Sequence, residues 1–367
     1  MNSKPIKLAS ISDIHLGHHR TTTGFIVENL RKAFPDTDET GELDLILFAG
    51  DVFDRLLSFP STEASEAADW FMDFLAMCQR RDIVVRVLEG TPSHDWKQSS
   101  FFVGLNRNLL KPADFKYVPT LSIEYLDRFD LTILYVPDEW SPEADDTWRQ
   151  TTELLAAHGL EKVDIACMHG AFDYQIPMSH NTHRPDRWLS IVKHYIFIGH
   201  VHLHSVNDRI LAQGSFDRLC HGEEAPKGHI RAVIRGEQGD QFEFVENKGA
   251  KLYLTLELQG RSLTECLDAL KGFEHFPDGS NFRLKMQRED EMLGAIQAVR
   301  ELYPQFVFTT QLDELEVKSA LIEEDDNIPQ PITITRDNLA SLLKERMPEV
   351  AEDVEKEMFR ILDELTK

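Results

Sequence analysis

The sequence predicts an α/β layered fold, and three observations carry that reading. Continuous apolar runs recur at strand length. Segments with helical spacing of apolar residues lie between most of them. Histidines and carboxylates gather just past the C-terminal ends of the runs. Residues 6–12 (IKLASIS) form the first run, 43–50 (LDLILFAG) the second and 83–90 (IVVRVLEG) the third, followed by runs at 131–137, 163–170 and 195–200. They are continuously apolar rather than alternating, the pattern of strands covered on both faces. Helices are predicted at 23–34, 62–79, 146–158 and 186–194. In the second, Ala67, Trp70, Phe71, Phe74 and Leu75 recur at spacings of three and four and form one apolar stripe.

After about Ala250 the pattern restarts. Leu252, Leu254 and Leu256 alternate with Tyr253, Thr255 and Glu257 in a strand; a helix over 262–272 is closed by Gly272. A strand at 281–287, a helix at 290–302 and a strand at 306–312 complete a small α+β unit. The segment 323–335 (EEDDNIPQPITIT) is acidic and contains proline, so it reads as a linker. Beyond it, helices are expected at 336–346 and 350–365, the latter with a stripe of Val350, Val354, Met358, Ile361 and Leu365. Two such helices cannot bury their stripes alone, so they must dock on their own domain or on a partner.

The 367 residues are 42% hydrophobic and 28% charged, an ordinary globular composition. No apolar run approaches the ~20 residues of a membrane span. The N-terminal segment lacks the apolar core of a signal peptide, and the four cysteines have no metal-type spacing. A reduced, cytoplasmic setting with no membrane association is the expectation. The formal net charge of -24 argues against a simple nucleic-acid binder, which usually carries a basic surface. A phosphate substrate is compatible with that charge if divalent metals, a local basic strip or a partner supplies the cations.

The polar residues at the run ends define the chemistry. Asp13 and His15 follow the first run, Asp51 and Asp54 the second, and Ser93, His94 and Asp95 the third. His169 ends a later run, and His200 and His202 the next. In open α/β sheets this edge is where ligands bind, so five distant segments converge on one rim. Asp-x-His and His-x-His each set two side chains on one side of an extended segment. Imidazoles and carboxylates without a thiolate suit Mn, Fe or Zn. A carboxylate at Asp51 can bridge two cations about 3.5–4 Å apart, a pair that activates water and clamps a phosphoryl oxygen. A lone Asp-x-His is a weak signal, and a lone Gly-Asp is usually a turn. The ordered set is much more specific.

The order Asp-x-His, Gly-Asp-x-x-Asp, His-Asp, Met-His-Gly, Gly-His-x-His resembles that of the calcineurin-like metallophosphoesterases over residues 6–245. "GDVFD" and the segment 212–230 (AQGSFDRLCHGEEAPKGHI) are similar to the SbcD branch, the nuclease subunit of a DNA double-strand-break processing complex in bacteria and phages. The resemblance implies a four-layer sandwich of two mixed sheets flanked by helices, with a small α+β capping domain and a helical C-terminal tail. The implied boundaries are 1–248 for the nuclease domain, 249–322 for the capping domain and 323–367 for the linker and tail. It also implies two divalent ions, with Mn suited best and Mg the alternative. Asp13, His15, Asp51 and His202 would take the first, and Asp51, His169 and His200 the second. The family's usual Gly-Asn-His-Asp is here Gly-Thr-Pro-Ser-His-Asp, and counting back from the histidine puts Ser93 at the asparagine position, which predicts a weaker second site. His94 would act on the leaving oxygen, supported by Asp54; Asp95 would orient the loop.

His18, Arg55 and Lys97 flank these motifs as candidate substrate contacts. The resemblance further implies DNA as substrate, an SbcC-like coiled-coil ATPase held by the C-terminal helices, and a homodimer. The dimer would form through helices near 62–79 and 98–110, with Phe101, Phe102 and Leu105 as candidate contacts. If the chain is phage-encoded, its setting is the host cytoplasm. Two other readings stand beside this one: a small-molecule phosphodiesterase or phosphatase on the same scaffold, and a non-catalytic scaffold subunit.

Overall fold

The computed structural model describes residues 4–138, 143–176 and 181–312. Two six-stranded mixed sheets dominate it. In the first, β1 (Ile6–Ile11), β2 (Leu45–Ala49), β3 (Val84–Leu88) and β4 (Phe115–Val118) run parallel. The second is built on β6 (Leu131–Val136), β7 (Ile165–His169) and β8 (Ile196–Gly199), also parallel, with β5 (Ser122–Leu126), β9 (Ser205–Asn207) and β10 (Ile210–Ala212). Strands β11 (Gly228–Ile234) and β12 (Gln241–Glu246) complete the first sheet antiparallel, giving the order β12-β11-β1-β2-β3-β4. The second sheet has the order β5-β6-β7-β8-β10-β9.

Strand periodicity explains the layers. Leu45, Leu47 and Ala49 face the second sheet, where they join Ile133, Tyr135, Ile165 and Phe197 in one buried core. Ile46 and Phe48, on the other face of β2, pack under α1 (Thr23–Ala33) and α3 (Thr62–Arg81). The outer face of the second sheet buries Ala166, Met168 and Ile198 against Leu155 of α6 (Ala144–Ala157) and Trp188 of α7 (Pro185–Ile191). The result is helix, sheet, sheet, helix. Both faces of the central strands are covered, which is why their sequences are continuous apolar runs. Shorter helices are α2 (Asp38–Gly41), α4 (Pro92–Asp95) and α5 (Phe101–Arg107).

The chain beyond Ala250 forms a third sheet, with β13 (Tyr253–Glu257), β14 (Asn281–Met286) and β15 (Val307–Leu312) all parallel. Helices α8 (Leu263–Lys271) and α9 (Glu291–Leu302) connect them around a separate buried cluster that includes Leu270, Phe282, Leu284 and Met292. Ser262 and Glu265 make a capping box at the start of α8. Gly272 follows the helix in a right-handed conformation, so its freedom to adopt positive φ is not used. The linker and tail helices expected beyond residue 312 lie outside the described residues.

Phe102 is 1% exposed, stacked on Phe71 with ring centroids 3.6 Å apart, so it belongs to the intramolecular core and not to a free surface. Phe101 remains 44% exposed, and Leu105 is partly buried against the same core. No helix among the described residues is long and apolar enough to cross a membrane.

Candidate metal centre

The parallel strands of both sheets end at one rim. The loops after β1 and β2 run side by side, tied by Asp13 N–H to Gly50 O (3.1 Å), Ile14 N–H to Asp51 O (2.8 Å) and Leu16 N–H to Val52 O (2.9 Å). Such close approach needs small residues. A Cβ on Gly50, whose φ is +85°, would overlap the His169 ring, and one on Gly90 would overlap the Asp51 backbone. Strain collects here too. Among the described non-glycine residues with positive φ are Asp13 (50°), His15 (55°), Asp51 (51°) and His200 (100°). Held in a sparsely populated region, these four aim side chains that an unstrained strand end would not.

Three groups of ligand-type atoms result: Asp13, His15 and His202 form the first, Asp51, His169 and His200 the second, and His15, Asp54 and His94 a third that shares His15. The first two meet at Asp51. In the first, His15 Nε2 and His202 Nε2 are 3.1 Å apart, and His202 Nε2 is 3.8 Å from Asp13 Oδ1. Asp51 Oδ2 is 3.9 Å from His15 Nε2, and Asp51 Oδ1 is 3.3 Å from His169 Nε2. Metal–ligand bonds of about 2.1 Å set adjacent ligands roughly 3.0 Å apart in an octahedron and 3.4 Å in a tetrahedron. Two imidazole nitrogens at that spacing, with buried carboxylates beside them, fit divalent cations.

Neighbouring groups set the ring orientations. His169 Nδ1–H donates to Ala49 O (2.6 Å), leaving Nε2 for the site. His202 Nδ1–H donates to Glu223 (2.6 Å), which also accepts from the Leu219 N–H and lies 3.4 Å from the buried Lys227. Burial alone would raise the Glu223 carboxyl, but His202 and Lys227 hold it down to about 2. Asp13 accepts from the Ser12 hydroxyl (2.6 Å) and the His200 N–H (3.0 Å). Burial would depress His169 and His202, yet Asp51 and Glu223 respectively raise both imidazoles above the usual range.

His94 and Asp54 are brought to the first group. His94 Nδ1–H donates to the Asp54 carbonyl (2.9 Å), and the His94 ring stands edge-on to His15 at 5.0 Å. The Asp54 carboxylate is 3.2 Å from His15 Nδ1. Asp95 is fully buried and accepts from the Asp51, Phe53 and Gly90 N–H groups, binding the second and third loops together. The flanking residues differ more. His18 lies near Asp54 and His15, but its Nδ1 accepts from the Arg20 and Thr21 N–H groups, and burial pushes it down to about 4. Arg55 pairs with Glu63 (2.6 Å) and the Gly17 carbonyl. Lys97 has φ of +57° and lines a cavity of about 640 Å³ with Glu89, Trp96 and Asp138.

Ser93 does not enter the site. It is exposed on α4, where its carbonyl accepts from the Trp96 indole. Thr91 takes the place expected of it. Thr91 Oγ1 lies 3.2 Å from Asp51 Oδ2, 3.4 Å from His169 Nε2 and 3.3 Å from His200 Nδ1, and Thr91 N–H donates to Asp51 Oδ1 (2.6 Å). Sequence reading also missed Glu223 and Asp138 as individual residues. Glu223 sits inside the quoted Gly-Glu-Glu segment, which was a signal for the segment and not for its role. Asp138 follows β6 outside every recognised motif.

The family model for calcineurin-like phosphoesterases matches residues 6–237. A comparison with curated protein sequences finds no match. Among solved structures, the chain is similar to GAP50, the anchor in the inner membrane complex of Plasmodium, with 14% identity, 67% of this chain and 86% of that one covered, and a TM-score of 0.39. It is similar also to TT1561 of Thermus thermophilus, with 12% identity, coverage of 66% and 99%, and a TM-score of 0.37. With the family match spanning well over half of its length and ending beyond the last motif histidine, this chain belongs to the calcineurin-like phosphoesterase family.

Proposed function

We propose that this phosphoesterase is a two-metal phosphodiesterase acting on DNA, the nuclease subunit of a complex with an SbcC-like coiled-coil ATPase. The observation that carries the chemistry is the pair of Asp/His groups beside Asp51, with His94 next to one of them. Asp13, His15, Asp51 and His202 would hold one cation; Asp51, His169 and His200 the other. When bound, two divalent ions, Mn by preference and Mg as the alternative, supply charge stabilisation at the phosphoryl oxygens and a lowered pKa for water.

The chain's own groups do the rest. The Asp54 carbonyl fixes His94 through Nδ1–H, so its other nitrogen, Nε2, is the one left to face a phosphate ester. In the imidazolium form Nε2–H gives its proton to the departing sugar oxygen. Glu223 and the Ala49 carbonyl keep His202 and His169 in one tautomer each.

The substrate class rests on the SbcD-type segments and on the net charge of -24, which favours a partner that grips the polyanion. Phe59 and Phe101 pack at 5.4 Å while remaining 58% and 44% exposed, and they offer an apolar patch for the homodimer. One observation favours the small-molecule reading: the cavity lined by Pro92, Ser93 and Asp138, next to the centre, is of ligand size. Labelled duplex and single-stranded DNA, and a simple nucleotide diester, incubated with Mn or Mg decide between them. Mn-dependent DNA cleavage is expected, lowered about 10²–10⁴-fold by His94→Ala. Hydrolysis of the diester without DNA cleavage, even with the ATPase present, would leave the small-molecule reading standing.

A further inference from the structure

We propose that Asp138, together with the Thr91 hydroxyl, completes the second cation site in place of an amide ligand. The proposal rests on the two-cation reading above and extends it to two residues that no motif assigns. Thr91 stands directly after Gly90 at the end of β3 and before Pro92. The proline disfavours helical backbone at Thr91, and its φ and ψ of -61° and 127° are extended. That geometry carries Oγ1 among Asp51, His169 and His200.

Asp138 Oδ2 lies 3.2 Å from Thr91 Oγ1 and 3.8 Å from His200 Nδ1. Asp51, His169, His200 and Asp138 each place a ligand-type atom 3.2 to 3.4 Å from Thr91 Oγ1, which lies between them; Asp51, His169 and His200 form the tight group, and Asp138 joins it through Thr91 and His200. A hydroxyl is a weak neutral donor compared with an amide carbonyl. A carboxylate restores what is lost and adds a negative charge. Two carboxylates, a hydroxyl and two imidazoles form an oxygen-rich set that suits Mn over Zn. His200 is the hinge of the arrangement, because it touches both Thr91 and Asp138.

The test is Mn²⁺ titration of the full chain by calorimetry and by the EPR signal of free Mn²⁺. The chains are the unmutated protein, Asp138→Ala, the isosteric Asp138→Asn, and Asp138→Ala combined with Thr91→Asn. Circular dichroism and a thermal melt establish that each is folded. The unmutated chain is expected to bind two ions. Asp138→Ala and Asp138→Asn should keep the first and weaken the second about tenfold or more, and Thr91→Asn should recover most of the loss. Two ions bound with unchanged affinity by both folded Asp138 variants would overturn the proposal and leave the two-cation reading intact. A single ion on the unmutated chain would overturn both.

Discussion

Protonation at single residues controls when this centre can take metal. Burial would depress His169 and His202, but Asp51 and Glu223 raise them, so both imidazoles keep their protons to higher pH than an ordinary histidine. A cation must displace those protons, so its affinity rises with pH and falls as the solution is acidified. Mn²⁺ affinity is expected to increase up to about tenfold per pH unit for each proton displaced between pH 6 and 8. Calorimetry in two buffers of different ionisation enthalpy counts the protons. An affinity flat across that range with no proton release would contradict the assignment. At this scale the residues inside rigid motifs, Asp13, His15, Asp51, His169, His200 and His202, gather at the rim, while Ser93 of the lengthened loop does not. Counting back from His94 selected Ser93, but the two extra residues form the turn of α4 and lift Ser93 into solvent. The informative adjacency was Gly90-Thr91, because the strand end positions whatever follows the glycine.

Secondary elements hold the rim by coupling the two sheets. Arg86 of β3 is 4% exposed between them and makes a two-pronged contact with Glu124 of β5, Nε to Oε2 at 2.9 Å and Nη2 to Oε1 at 3.1 Å. The Tyr135 hydroxyl donates to the same carboxylate (2.9 Å). Removing Glu124 leaves the buried Arg86 guanidinium with only the largely exposed Asp114 carboxylate (2.9 Å) as counter-charge, so Glu124→Ala is expected to cost up to about 3 kcal/mol. Arg86→Met combined with Glu124→Leu should cost clearly less, since neither charge remains. Urea unfolding measures both, and a double variant no better than the single one would contradict this role. The elements legible in sequence were the interior strands β1, β2, β3, β6, β7 and β8, because both of their faces are buried. Besides the three-residue interior strand β10, strands β4, β5, β9 and β12 escaped notice, and these four are the edges of the two large sheets. Their mixed exposure, as in Gln241–Glu246, breaks the continuous apolar signal.

The whole molecule joins an acidic chain to a phosphate chemistry. Of the two flanking cations expected to offset the charge, Arg55 pairs with Glu63 while Lys97 lines the cavity beside Asp138; the buried Lys227 is held by Glu223 and the His202 carbonyl. In the proposed function, bound metal would supply the positive charge at the rim, and a partner would grip the polyanion. The layered α/β class was legible because strands and helices alternate and both strand faces are buried, the four-layer order came from the family resemblance, and the rim was legible because chemistry-bearing residues follow the strands. The central claim is that Asp51 bridges two cations at this rim. EPR of the protein with two equivalents of Mn²⁺ tests it most directly. The expected result is the signature of an exchange-coupled Mn²⁺ pair, abolished by Asp51→Asn. A spectrum of isolated Mn²⁺ at every stoichiometry would contradict it.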